Sequence, residues 1–498
     1  MAKETPKTPT TKPTRAAAAP FVPIPAEPAS KGRPSAEAAE QRQRGKAARR
    51  RVPRELLGAW TPPTDRSDPV DVLTAQEVDR VADLVPLRHE RMSASPFAFY
   101  RGAAAIMAGD LGSRPNTGLV AQLAGDAHLA NFGGFATAER SLVFDLNDFD
   151  ETLPGPFEWD VQRLVASFEI AARHRSFNAA ARSRLVSLVA ATYVGAMADF
   201  ARTTRLDVWY ARIQAEDIIA RWGEGLDPVR VQAFRERLAK GRAKTSARAV
   251  SRYTRVGSDG RLHVISQPPF VVPASELTSL SEDAIRAFAQ GVFESYRATL
   301  ADDRQLLLSG YEIVDVARKV VGVGSVGTRC WIALLVATDD SSDDLVLQVK
   351  EAGASVLATV TEPSQYPQHG QRVVEGQRLM QAASDPLLGW TRSGGLDGVE
   401  HDYYIRQMWD WKTSADLEGM DEPLFAVYAH LCGWTLARAH ARTGDRHAMA
   451  AYLGNGKAFG RAMCEFADSY ADQNQRDYEA FRAAIEAGRI SRAELAEE

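Results

Sequence analysis

Residues 125–151 read GDAHLANFGGFATAERSLVFDLNDFDE. Two polar clusters, GDAHLANFGG at 125–134 and FDLNDFDE at 144–151, flank SLVF, which reads as a short strand. They bring Asp126, His128, Asn131, Asp145, Asn147, Asp148, Asp150 and Glu151 within 26 residues. So many carboxylates repel one another unless a cation or hydrogen bonds relieve them. Caps and Asx-turns account for one or two such residues, not for eight. The apolar flanks LVAQLA and SLVF place both clusters at strand ends. A hard divalent ion takes oxygen ligands, commonly one or two carboxylates or amides plus substrate phosphates. Asn131 and Asp148 suit that role, with Asp145 or Asp150 as a further ligand. Asp126 is then left as a base or as the orienter of a hydroxyl nucleophile. An EF-hand reading fails, because Phe149 and Asp150 stand where that loop needs an oxygen ligand and a glycine.

Upstream, residues 118–124 (GLVAQLA) read as a buried strand. Ser95–Asp110 (SPFAFYRGAAAIMAGD) reads as an extended segment leading into a helix, with Arg101 facing either phosphate or the acidic cluster. Residues 74–85 read as a helix with Thr74 as N-cap. Residues 1–54 carry 13 Lys/Arg against 4 Asp/Glu and almost no large apolar side chains. Residues 1–53 are therefore expected to be a disordered basic tail. Downstream, Val161, Leu164, Val165 and Phe168 follow helical spacing, with Asp160 as the expected N-cap. Residues 180–222 and 280–300 continue helical, and 235–255 is a basic surface helix. His128 is assigned to the catalytic set, where it ligates metal or braces the loop. His440 reads as a packed helical histidine.

After residue 305 the pattern becomes β-rich. Gly322-Val-Gly324-Ser-Val-Gly327 matches GxGxxG, but TRCWIALLVA follows it. A dinucleotide-binding turn would open into a helix. A strand–turn–strand context suits a glycine-rich flap over nucleotide phosphates. LVLQVKEA then ends a strand in Lys350, and an apolar strand holds a lysine when its ammonium meets an anion. Glu375, on a helix expected around 370–383, is the candidate partner. DYYIRQM reads as a further strand, with Arg406 leaning structural, and 422 to the end is helical.

Together these segments resemble the protein-kinase-like superfamily, especially aminoglycoside and choline kinases. Those enzymes carry an HGDxHxxN catalytic loop. Gly125-Asp126-Ala127-His128-Leu129-Ala130-Asn131 fits it, with Ala124 at the leading position. The stretch Asn147 to Asp160 follows the register of their IDFDDAGYGPPLYDLA segment. The resemblance implies Asp126 as catalytic aspartate, Asn131 and Asp148 as magnesium ligands, and Asp160 as the cap of the next helix. It implies Gly322, Gly324, Gly327, Lys350 and Glu375 as nucleotide-binding. In kinases the flap and lysine precede the catalytic loop; here they follow it by about 200 residues, which implies circular permutation. YAHLCGWTLARAHARTGD (428–445) resembles the helix that leads into that loop. The strings SPFAFYRGAA, GDAHLANFGGF, FDLNDFDETLPGPFEWDVQRL and YYIRQMWDWK resemble a bacterial family, domain of unknown function 2252, from about residue 54 to 480. That resemblance carries no activity with it.

The expected fold is α+β and bilobal, kinase-like with permuted order. A helical catalytic lobe spans 54–304, a small antiparallel β nucleotide lobe 305–412, and C-terminal helices 413–498. The expected function is ATP- and Mg2+-dependent phosphate transfer to a hydroxyl of a small-molecule acceptor. The alternatives are an inactive nucleotide-binding module and a metal-dependent phosphoesterase. The 498 residues carry a net charge of −4, so nucleic acid is not an expected partner except through the tail. Cys330, Cys432 and Cys464 show no metal or disulfide spacing, which suits a reducing, cytoplasmic setting. No apolar run reaches the ~18 residues of a membrane span, and the N-terminus has no secretory pattern.

Overall fold

The computed structural model describes residues 35–222, 227–339, 343–395 and 398–493. It is a mixed α+β structure whose sheets are antiparallel. Among the described residues no helix is long and apolar enough to cross a membrane.

Two ladders decide where the polar clusters go. Val120–Leu123 pairs with Leu153–Pro156, with Leu123 opposite Leu153. The chain between them must leave and return at that end. Inside this excursion Phe132–Ala136 pairs with Leu142–Leu146, with Phe132 opposite Leu146. Asn131 and Asn147 therefore meet, and Asn147 N donates to Asn131 O at 3.0 Å. Ile213–Gln214 and Thr413–Ser414 extend this hairpin to four strands. Both clusters are thus pinned side by side at strand ends. Gly125 is needed at the crossing. Its φ is +79°, and a Cβ would lie 2.2 Å from Glu151 O.

Behind the ladders, helices Phe157–His174, Ala179–Phe200, Glu422–Thr443 and Lys457–Glu486 share one apolar core with Leu123, Leu146 and Leu153. Val161, Leu164, Val165 and Phe168 are fully buried, as their spacing predicts. The helix starts at Phe157, however, and Asp160 does not cap it. The Asp160 carboxylate accepts Ala124 N at 2.7 Å and Gly125 N at 3.0 Å. Asp160 clamps the loop ahead of Asp126 instead. His440 is buried beside it, with Nε2 donating to Asp160 at 3.3 Å and Nδ1 accepting from Tyr193 at 2.8 Å.

The second layer is a six-stranded antiparallel sheet. Its order is Gly389–Gly394, Glu400–Gln407, Leu345–Glu351, Cys330–Ala337, Tyr311–Lys319 and Val271–Pro273. The GxGxxG turn joins Tyr311–Lys319 to Cys330–Ala337, as a strand–turn–strand. Alternation along Leu345–Glu351 sorts the side chains. Leu345 and Leu347 join Phe293 and Tyr296 of helix Glu282–Arg297. Val346 packs on the other face with Ala249 and Tyr253 of helix Ser246–Tyr253. Lys350 shares this second face. The expected boundary at 305 therefore cuts into this unit, since Val271–Pro273 and Glu282–Arg297 belong to it. That edge strand is only three residues long, VVP, beside SQPPF, and so short a run carries little strand signal. Helix His369–Met380 links sheet to body. Arg372 on it donates to Thr152 O, Asp150 O and Gly353 O at 2.7–2.8 Å.

Three local expectations are corrected. Thr74 closes a helix rather than opening one. Pro69–Ala75 is helical with Asp68 as N-cap, and the Thr74 hydroxyl donates back to Val70 O. Ser95–Asp110 is not extended at its start. Ser95 caps helix Pro96–Gly102, a cap worth about 0.5–2 kcal/mol, with proline at its first position. The basic tail is folded over its last third. Ser35 caps helix Ala36–Arg51, which lies along helix Arg446–Leu453. Gly45 and Ala48 are the buried contacts, and polarity hid them. Residues 1–34 of that expected tail, and 340–342 of the DDSSDD turn, lie outside the described residues.

A Cβ on Gly45 would stand 2.0 Å from Ala448 O. Gly45→Val is expected to release the helix Ala36–Arg51 while the rest stays folded. Trypsin should then cut at Arg42–Arg51 many-fold faster than in wild type, at unchanged circular dichroism beyond that helix. Unchanged cleavage would refute the docking.

Candidate functional site

The polar clusters, the glycine turn and helix Pro96–Gly102 enclose a cavity of about 320 Å³. Asp126, His128, Asn131, Asp148, Asp150, Gly322 and Gly324 all line it, although the turn lies some 200 residues beyond the acidic clusters. Gly327 does not line it; its carbonyl instead accepts Val81 N at 2.8 Å. The turn is further held by Arg80 on Val326 O at 2.6 Å and by Ser325 on Asp150 at 3.3 Å.

Arg163 grips Asp126 Oδ1 through Nε and Nη2, both at 2.8 Å. Asp126 Oδ2 is 3.6 Å from His128 Nε2 and otherwise faces the cavity. Burial pushes this carboxyl above the ordinary aspartate value, against Arg163 and Arg101. That is the direction a general base needs. His128 Nδ1 accepts Ala130 N at 3.2 Å, so the proton sits on Nε2. Burial, then Arg101 and Arg163, hold it neutral. His128 braces the loop beside Asp126, and its acceptor nitrogen is spent on the backbone, which removes it as a base.

Asn131 Nδ2 donates to Asp126 O at 2.9 Å. This orients its Oδ1, which accepts no hydrogen bond among the described residues, away from that carbonyl. Asp148 Oδ1 accepts Asp150 N at 3.2 Å. Burial and then the Asp150 charge raise the Asp148 carboxyl. Both oxygens of Asp150, an expected metal ligand, are engaged by side chains. Lys350 Nζ donates to its Oδ2 at 2.8 Å and Tyr404 OH to its Oδ1 at 2.6 Å. Burial alone would raise Asp150, but Lys350 and Tyr404 hold it below the usual value. Cross-strand pairing explains the meeting, since Lys350 sits opposite Tyr404. Glu375 is not the partner of Lys350; it pairs with Arg378 at 3.0 Å on its own helix.

Asp145 is elsewhere. It is buried, ion-paired to Arg438, and accepts Ala382 N at 2.9 Å. Arg406 donates to Gln348 Oε1 at 3.3 Å and Asn147 O at 3.4 Å, beside Asp148. Arg406 first, and burial second, push Lys412 down to about 7. Sequence reasoning missed Arg163, Tyr404, Arg80 and Lys412. The signal for Arg163 was a charged residue inside the apolar run VQRLVASF.

Acidic groups dominate the cavity wall. Asp79, Asp126, Asp148, Asp150, Glu151 and Glu351 line it against Arg80 and Arg101. A polyphosphate alone would be repelled there, whereas one that carries divalent cations would not. Among the described residues no group of three or more His, Cys, Asp or Glu is placed to share a metal ion. Asn131 Oδ1 and Asp148 Oδ2 accept no hydrogen bond among the described residues, and both are oxygens of the type magnesium takes.

The model of a family described as an uncharacterized protein conserved in bacteria (DUF2252) matches residues 80–484. No curated protein matches the chain, and no solved structure does.

Burial raises Glu151 from 4.5 to about 7. Across that window the folded chain holds a proton that the unfolded chain has released, so this group lowers stability as pH rises. Glu151→Gln keeps an acceptor for Val356 N and removes the titration. Its urea midpoint should gain on wild type through the window and keep a constant lead above it. A pH-independent difference would refute the assignment.

Proposed function

The chain belongs to the DUF2252 family, conserved in bacteria, and we propose that it is an ATP- and Mg2+-dependent phosphotransferase with a circularly permuted, kinase-like bilobal fold. The observation that carries this reading is the ion pair between Lys350 and Asp150. It ties two segments 200 residues apart to one cavity wall that Asp126, Asn131 and Asp148 share. In protein kinases a glycine turn covers the phosphates, a lysine stands on the third strand, and Asp and Asn hold the metal. Here the glycine turn joins two strands, Lys350 stands on the next, and Asn131 with Asp148 face the cavity beneath. Kinase order also runs from that sheet into a helix and then the catalytic loop. Glu422–Thr443 would be that helix, and the break in the chain would fall between it and Gly125.

In this mechanism Asp126 Oδ2 takes the proton of an acceptor hydroxyl, and Arg163 fixes its other oxygen. Asn131 and Asp148 would hold magnesium, which neutralises charge on the nucleotide's phosphate oxygens. Lys350, which stands behind the cavity wall on Asp150, would lend its charge to those oxygens, and the turn at 322–327 would cover them. Most of the rate then comes from positioning and charge stabilisation. A small-molecule acceptor follows only from the resemblance to small-molecule kinases.

Calorimetric titration of magnesium–ATP tests the reading, with Asp148→Asn and Lys350→Gln checked for folding by circular dichroism. Wild type should bind only with magnesium, and each variant should bind at least tenfold more weakly. No binding by wild type would sink it.

A further inference from the structure

Arg101 differs from the other cations of the site. Arg163 closes on Asp126 at 2.8 Å and Lys350 on Asp150 at 2.8 Å. Arg80 donates to Val326 O at 2.6 Å. Arg101 lines the cavity, yet its side chain makes no hydrogen bond or ion pair among the described residues; its Nε, like those of Arg80 and Arg438, is buried without a partner, and its other nitrogens have none either. The charges of Asp126 and Asp148 both reach it. A guanidinium placed only to neutralise them would close on one, as Arg163 does. Leaving a desolvated cation unpaired costs free energy, which an anionic ligand repays.

Its support is rigid. Arg163 Nη2 donates to Tyr100 O at 2.7 Å, and Tyr100 OH to Arg163 O at 2.8 Å. Gly324 of the turn abuts Arg101 O, where a Cβ would stand at 3.0 Å. The residue before Arg101 is thus locked to the arginine that orients Asp126, and its own backbone lies against the turn that would cover the phosphates. Such positioning suits charge that develops during transfer, since a pre-organised donor needs no rearrangement.

Resting on the phosphotransferase reading, we infer that Arg101 is a catalytic residue that donates to the non-bridging oxygens of the phosphoryl group in flight. The bond from the terminal phosphorus to its bridging oxygen breaks as one forms to the acceptor oxygen. The acceptor's proton passes to Asp126, and the nucleoside diphosphate leaves with the electron pair. Arg101 gives up no proton and shares its N–H groups with the oxygens between.

The test is single-turnover phosphate release from magnesium–ATP with water as acceptor, beside calorimetric affinity. Wild type, Arg101→Lys and Arg101→Ala are compared at matched thermal midpoints. Binding should change by less than about threefold, while turnover falls by ~10³ or more, the scale of an arginine acting in cis. Added guanidinium should restore part of the Arg101→Ala rate. Retained turnover in Arg101→Ala overturns the inference, as does a binding loss that accounts for the whole rate loss. A wild type that binds but releases no phosphate overturns it and leaves the nucleotide site standing. A wild type that binds nothing overturns the phosphotransferase reading itself.

Discussion

Four carboxylates in this chain, Asp145 and Asp160 buried and Asp126 and Asp150 half-buried, persist because each is met by a cation or donor from a remote segment. Asp126 has Arg163, Asp145 has Arg438, Asp150 has Lys350, and Asp160 has His440 with two backbone amides. Removing one partner of a buried pair typically costs about 3–5 kcal/mol, a large part of a domain's net stability. The pairs therefore fix how the sheet, the ladders and the helical body sit around the cavity. Asp160 shows the logic most plainly. It ties the loop of Asp126 to the first turn of a core helix, and His440 ties both to a helix near the other end of the chain.

Within that frame, function follows from which oxygens stay unengaged. Asp145 and Asp160 are spent on structure, and Asp150 is spent on Lys350. Asp126 keeps one oxygen, Asn131 keeps its amide oxygen, and Asp148 keeps most of its carboxylate. Those atoms share the cavity with a glycine turn and an unpaired guanidinium. In the proposed reading that acidic wall favours a polyanion accompanied by metal over a naked one. Charge balance and residual hydrogen-bonding capacity are thus what the proposed metal–nucleotide ligand rests on, more than the count of carboxylates.

Much of this was legible in the sequence, and the limits are physical. Spacing placed the strands around residues 118–124 and 141–144, the glycine turn between strands, and Lys350 at a strand end. Those readings rest on local periodicity. Local pattern also suggested that Asp126, Asn131 and Asp148 act together, because the two short ladders enclosing them lie close in sequence. Roles set by distant partners were not visible. Asp150 and Asp145 look alike in FDLNDFDE, and only the approach of Lys350 and Arg438 separates them. Asp160 reads as a cap, because the cap and clamp roles need the same residue at nearly the same place. Helix Ala36–Arg51 is polar almost throughout, and its docking depends on one glycine small enough for backbone contact.

The separation of Lys350 from Asp150 has a consequence for biosynthesis. Ribosomes add about 5–20 residues per second, so 200 residues correspond to roughly 10–40 s. For that interval the acidic clusters have been made while the lysine that neutralises Asp150 has not, and Arg438 for Asp145 comes later still. The ladders can close early from local contacts, but the cavity cannot balance its charge until the final third of the chain arrives. Assembly of the site is therefore a late event, and an interrupted chain exposes a strand-bounded cluster of uncompensated negative charge.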